Sequence, residues 1–234
     1  MSISKLSINQ DVLKLVALVT MTIDHIAKYI FDVSSTSIFI GIGRISFPIF
    51  AFLLMKHLAN RQIFSKYVIR LGVFGGITVA LSCFFKGVVK VANVFPLNIL
   101  ISFFVAVLFL MFCNFIKKEK GPEWIKILML GFNFLCFSLL SSVCDYGVIG
   151  FCFLVLIYFY FMMPNKMVLF LVILFSGLIN IGDNFWWVGI LTLLVLLFND
   201  YSKKNDRIFR KWWWFYVYYP LHLFVIGWIS YYMQ

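Results

Sequence analysis

His25 is the first residue that invites a chemical reading. It stands beside Asp24 in an otherwise apolar stretch, DVLKLVALVTMTIDHIAKYIF, over residues 11–31. A neutral imidazole takes up a proton near physiological pH, and a neighbouring carboxylate orients it or raises its basicity. Asp24 lies about 100° around a helix from His25 and does not face the ring squarely, so Asp145 or Asp183 is an equally good orienting carboxylate. Arg44 adds a permanent cation suited to a phosphate, a carboxylate or a developing oxyanion. It sits in Gly41-Ile42-Gly43-Arg44-Ile45-Ser46-Phe47-Pro48. The glycines there permit close approach, and Pro48 leaves the carbonyl near residue 44 without its usual donor. A base, a carboxylate and a fixed cation are the parts of a proton- or group-transfer site. The blander alternatives are a buried histidine bonded to a backbone carbonyl and a structural Asp24–Arg44 ion pair.

The element that must carry His25 is a helix. On it Asp11, Lys14, Asp24, His25 and Lys28 fall within about 140° of one face. A charge at bilayer depth costs roughly 3 kcal/mol, so that face must turn toward protein or water. The whole chain is 63% hydrophobic and only 12% charged over 234 residues. A soluble domain carries about twice that charge. These values predict an all-α polytopic membrane protein forming one domain over residues 1–234. A span needs about 20 apolar residues. Nine candidates, within a range of eight to ten, lie near 9–31, 38–58, 65–85, 94–116, 124–142, 146–163, 167–182, 185–199 and 212–233. The seventh and eighth are short and are either two spans or a re-entrant pair.

Basic residues fix the expected orientation. Lys5, then Lys56, Arg61 and Lys66, then Lys117, Lys118, Lys120 and Lys126, then Lys166, then Lys203, Lys204, Arg207, Arg210 and Lys211 fall in alternate connections. The other side holds only Lys86 and Lys90, with Lys28 at the outer end of the first helix. The N-terminus is therefore expected in the cytoplasm, and the first apolar run, which contains Asp24 and His25, is expected to stay as a helix. The net charge of +11 reports topology and anionic lipid rather than nucleic acid. Five separated cysteines, with no CxxC pair, read as packing residues, and no metal-ligand cluster is visible.

In that frame Asp24, His25 and Arg44 lie in the outer half, Asp145 and Asp183 at outer ends. Lys14 is about 17 Å nearer the cytoplasm than His25. The short connection 32–37 makes the first two helices antiparallel neighbours, close enough to bring Asp24 and His25 near Arg44. Polar groups along one face suggest a channel through most of the membrane. Arg61, Lys66 and Arg70 could receive an anionic cofactor from inside. His222 lies near mid-membrane in Phe215-Tyr216-Val217-Tyr218-Tyr219-Pro220-Leu221-His222. Trp212, Trp213, Trp214, Tyr216, Tyr231 and Tyr232 read as interfacial belts.

Five strings resemble the TraX family in order along the chain: LKLVALVTMTIDHI, GRISFPIFAFLL, Lys66-Tyr67-x-x-Arg70-Leu71, Asp145-Tyr146-Gly147 and FYVYYPLHL. The family is named for the membrane protein that acetylates F-type pilin. The resemblance implies a multi-pass acyltransferase of the cell membrane that uses cytosolic acetyl-CoA. The acceptor is then a peptide or pilin N-terminal amine at the outer face, with the hydroxyl of a surface sugar as the second choice. It implies His25 as catalytic residue, Arg44 and Asp24 beside it, and Asp145 and His222 at further motif positions. The expected cofactor-binding set is Lys14, Arg61, Lys66, Arg70 and His222, and the expected orienting carboxylates are Asp145 and Asp183. Related acyltransferases usually carry an arginine in the first helix, where this chain has Lys14. A transporter using Asp24, His25 and Arg44 as a proton relay, or a non-enzymatic assembly factor, is the alternative.

Overall fold

Asn9 opens the first helix by accepting a hydrogen bond on its side chain from the Asp11 amide at 2.8 Å. The computed structural model describes residues 9–34, 36–86, 98–198 and 214–233, without the side chains of Lys86 and Asp183. Lys5, Lys90, Lys203, Lys204, Arg207, Arg210, Lys211, Trp212 and Trp213 lie outside the described residues. The helices are α1 (Gln10–Tyr29), α2 (Ile38–Gly43), α3 (Ser46–Arg61), α4 (Phe64–Lys86), α5 (Ile99–Lys118), α6 (Glu123–Ser141), α7 (Gly147–Met162), α8 (Lys166–Leu178), α9 (Trp186–Phe198) and α10 (Trp214–Met233). A 3-10 turn, Ile181–Asp183, joins α8 to α9, and no strand occurs among the described residues. The all-helical expectation holds.

Four stretches are long and apolar enough to cross a membrane: Ile38–Arg61, Phe64–Phe85, Ile99–Lys118 and Glu123–Ser141. Helices α7, α8 and α9 are apolar but shorter. At 13 residues each, α8 and α9 rise about 20 Å, less than the roughly 30 Å of a hydrocarbon core. The described structure thus supports a membrane protein but not a count of nine crossings.

The second expected span is a helix broken at Arg44–Ile45, between α2 and α3. Pro48 has no N–H for the residue-44 carbonyl, and Gly41 and Gly43 weaken the preceding turn. Ser46 Oγ donates to the Gly43 carbonyl at 2.8 Å and closes the gap.

Helices α1, α10, α4, α5, α7 and α3 pack in that cyclic order into a ring. Helices α3, α5 and α7 carry Phe47, Phe52, Met55, Leu110, Phe153 and Leu154, all almost completely buried. In lipid such packing works by van der Waals fit rather than by expelling water. Helix α1 turns Val12, Leu15, Val16 and Val19 outward and buries Asp11, Ala17, Thr20 and Met21. Its polar face looks into the ring, as the cost of a charge in lipid requires. Contacts Lys14–Phe215, Thr22–Tyr218, His25–His222 and Tyr29–Ser230 show that α1 and α10 run parallel.

Candidate active site

The α1–α10 seam brings together His25 and His222. His25 Nδ1 is 2.7 Å from His222 Nε2, and the two ring planes lie within 4° of parallel. His222 Nδ1 reaches the Tyr218 carbonyl at 3.0 Å, one helical turn back. The Tyr218 ring lies parallel to His222, and its hydroxyl meets Thr22 Oγ1 at 2.7 Å. Tyr219 sets its ring edge-on to both imidazoles, with centroids 6.3 Å from His25 and 5.3 Å from His222. The partner of His25 Nδ1 is another histidine.

Asp24 and Arg44 come to the same place from α1 and the α2–α3 break. A Cβ on Gly43 would overlap the Asp24 side chain, so glycine there lets the two helices close. Asp24 Oδ2 stands 4.0 Å from His25 Nε2. Arg44 lies within electrostatic reach of His25 and Asp145 and hydrogen-bonds Tyr146. The short connection 32–37 therefore does what its length suggests.

Asp145 sits in the connection between α6 and α7. Its carboxyl accepts from the Ile99 amide at the start of α5, and its carbonyl accepts from Ser102 Oγ at 2.8 Å. Desolvation pushes the Asp145 carboxyl up to about 6, against the opposing pull of Lys28 and Arg44. Asn98 caps α5 and donates to the Gly75 carbonyl at 3.1 Å, halfway along α4. The N-terminus of α5, with its outward-pointing amides, thus lies inside the bundle, a favourable place for negative charge. Tyr146, at φ 63°, holds a left-handed conformation rare for a bulky residue and stacks on Phe47 at 4.1 Å. Asp183 falls in the 3-10 turn, and its side chain lies outside the described set.

A second polar group gathers where α1, α4 and α10 begin. Lys14 pairs with Asp11 at 2.8 Å and lies over the Phe215 ring. Arg70 lies over Tyr67 and hydrogen-bonds Tyr216, whose ring packs on Phe74. Tyr216 is half-buried between Arg70 and Phe74, whereas Tyr231 and Tyr232 are exposed. Arg61 and Lys66 are exposed at the α3–α4 turn. His222, grouped in sequence with the cofactor-binding residues, stands about 9 Å along α10 from Tyr216 and touches His25.

A family model described as TraX protein matches residues 9–230. The chain belongs to the TraX family. No match was found among curated proteins or solved structures. The family match runs from α1 through nearly all of α10, so it takes in both helices of the histidine seam. In this TraX chain, sequence reasoning missed the His25–His222 contact and the parts of Tyr146, Tyr218 and Tyr219. A usable signal was present: Tyr218 and His222 share one α10 face at i and i+4, on either side of Pro220.

Proposed function

We propose that this TraX-family protein is a membrane acetyltransferase. It moves an acetyl group from acetyl-CoA, entering at the α1 N-terminal end, to an amine arriving from the opposite side. The observation that carries this reading is the α1–α10 seam. It links a basic and aromatic cluster (Lys14, Tyr67, Arg70, Tyr216) to a histidine base flanked by Arg44. The N-terminal end faces the cytoplasm in this reading, in keeping with the basic connections. Arg70 and Lys14, with the exposed Arg61 and Lys66, receive the donor's phosphates. The thioester reaches along the seam toward His25.

His25 Nε2 takes a proton from the acceptor amine as its nitrogen attacks the thioester carbon. The carbonyl oxygen gains negative charge, which Arg44 and the start of α5 stabilise. The C–S bond then breaks, and His25 returns the proton to the thiolate. The products are an acetylated amine and free CoA thiol. Acceptors of this class are peptide or pilin N-termini, and a surface-sugar hydroxyl passes through the same steps.

Thiol release from acetyl-CoA by the purified full chain tests the reading, with N-terminal peptides as acceptors. Release that depends on a peptide amine supports it. Acetyl-CoA that neither binds nor turns over in the presence of peptide and sugar acceptors overturns it in favour of transport or assembly.

A further inference from the structure

The two ring nitrogens of His222 have different partners, and this fixes where the protons of the histidine pair lie. Nδ1 faces the Tyr218 carbonyl, which only accepts, so Nδ1 carries hydrogen and donates. In a neutral imidazole Nε2 is then bare. Its partner at 2.7 Å is His25 Nδ1, which must therefore be the donor. His25 Nε2 keeps its lone pair. Among the described residues no hydrogen bond uses that nitrogen, and the carboxylate beside it, Asp24 Oδ2, is 4.0 Å away.

We infer that His222 is a positioning residue that holds His25 in its Nδ1–H tautomer and so makes Nε2 the reactive base. A carboxylate in its place would do the same but would bring a second negative charge beside Asp24, at a depth where charge is costly. A neutral imidazole accepts the hydrogen bond without that charge. Tyr219, edge-on to both rings, fixes their common orientation. The chain of hydrogen bonds also ends at the Tyr218 carbonyl, which cannot pass a proton on. A proton gained at His25 Nε2 must therefore leave from Nε2, the nitrogen that faces the reactants, and so reach the leaving thiolate rather than solvent behind the pair.

The activity arm of the test rests on the acetyl-transfer reading; the tautomer arm does not. The chain has three histidines, so ¹⁵N-histidine NMR of the full chain in detergent can be assigned with single variants. Wild type should show His25 protonated at Nδ1 and bare at Nε2. His222→Phe should move the proton to Nε2 and lower thiol release from acetyl-CoA by about 10- to 100-fold, the usual scale for an orienting partner. His222→Gln, whose amide oxygen accepts, should restore the Nδ1–H form and part of the rate. If His222→Phe does not fold, the comparison of wild type with His222→Gln decides. A wild-type His25 carrying its proton on Nε2 overturns the inference, as does a folded His222→Phe that keeps the Nδ1–H form. Absence of thiol release from wild type would count against acetyl transfer and leave the tautomer result to judge His222.

Discussion

Helices α1 and α6 are 20 and 19 residues long, and each brings a polar side chain inward, but the two side chains are treated differently. On α6 the buried Asn133 donates to the Phe109 carbonyl at 3.4 Å and lies 3.3 Å from Cys113 Sγ, so its amide joins α6 to α5. Most of the rest of α6 faces outward. On α1 the polar face looks into the ring, and His25 commits one nitrogen to His222 while the other points toward Asp24. A polar group that spends its donor on a neighbouring helix holds the two helices together. A polar group fixed on one side and open on the other can do chemistry.

The largest effect should come from His25→Ala. Loss of a general base costs about 10²- to 10⁴-fold. Thiol release should fall by that factor while far-UV circular dichroism and the melting profile stay those of wild type. Arg44→Ala should follow, at about 10²- to 10³-fold in kcat, the cost of removing one oxyanion donor. Arg44→Lys should recover little of it, because the fork that also reaches Tyr146 is lost.

Gly43→Ala tests the closure of α1 on α2 rather than the chemistry. Its new methyl must displace Asp24, and overpacking of this kind costs about 1–3 kcal/mol. The expected outcome is a lower melting temperature together with reduced turnover. Asn133→Leu sharpens the comparison from the other helix. It should cost about 0.5–1 kcal/mol of stability and leave turnover per folded molecule unchanged. A large loss of turnover in that variant would mean that α6 is not merely structural.

The last test is a pH slope. Asp145 has a folded-state pKa of about 6 against an ordinary 3.8. Between those values the folded chain binds more protons than the unfolded chain, so this group's contribution falls as pH rises through the window. Asp145→Asn should remove that fall: the stability difference between variant and wild type should grow from pH 4 to 6 and level off above. Equal slopes for the two proteins would count against the burial assigned to Asp145.

Much of this was legible in the residues. The inward polar face of α1 followed from 3.6-residue spacing and the cost of charge in lipid. The nearness of Asp24 to Arg44 followed from a six-residue connection and two glycines. The break at Arg44–Ile45 was half legible: Pro48 marked a carbonyl without its donor, but residues 38–58 read as one span. What the sequence concealed depends on contacts between distant segments. His25 and His222 are 197 positions apart, and neither periodicity nor hydropathy says which faces of α1 and α10 meet. Tyr216 reads as a belt residue by composition, and nothing local announces that it meets Arg70 and Phe74. The placement of α5's first turn beside the middle of α4 is likewise set by Asn98 meeting Gly75, a contact no local pattern announces.

The central claim is best met by measuring free-thiol release from acetyl-CoA by the purified protein with a peptide acceptor, wild type beside His25→Ala. The account predicts amine-dependent release by wild type and background release by the variant, with both proteins binding the donor. Equal release by the two folded proteins would remove His25 from the mechanism and contradict the account.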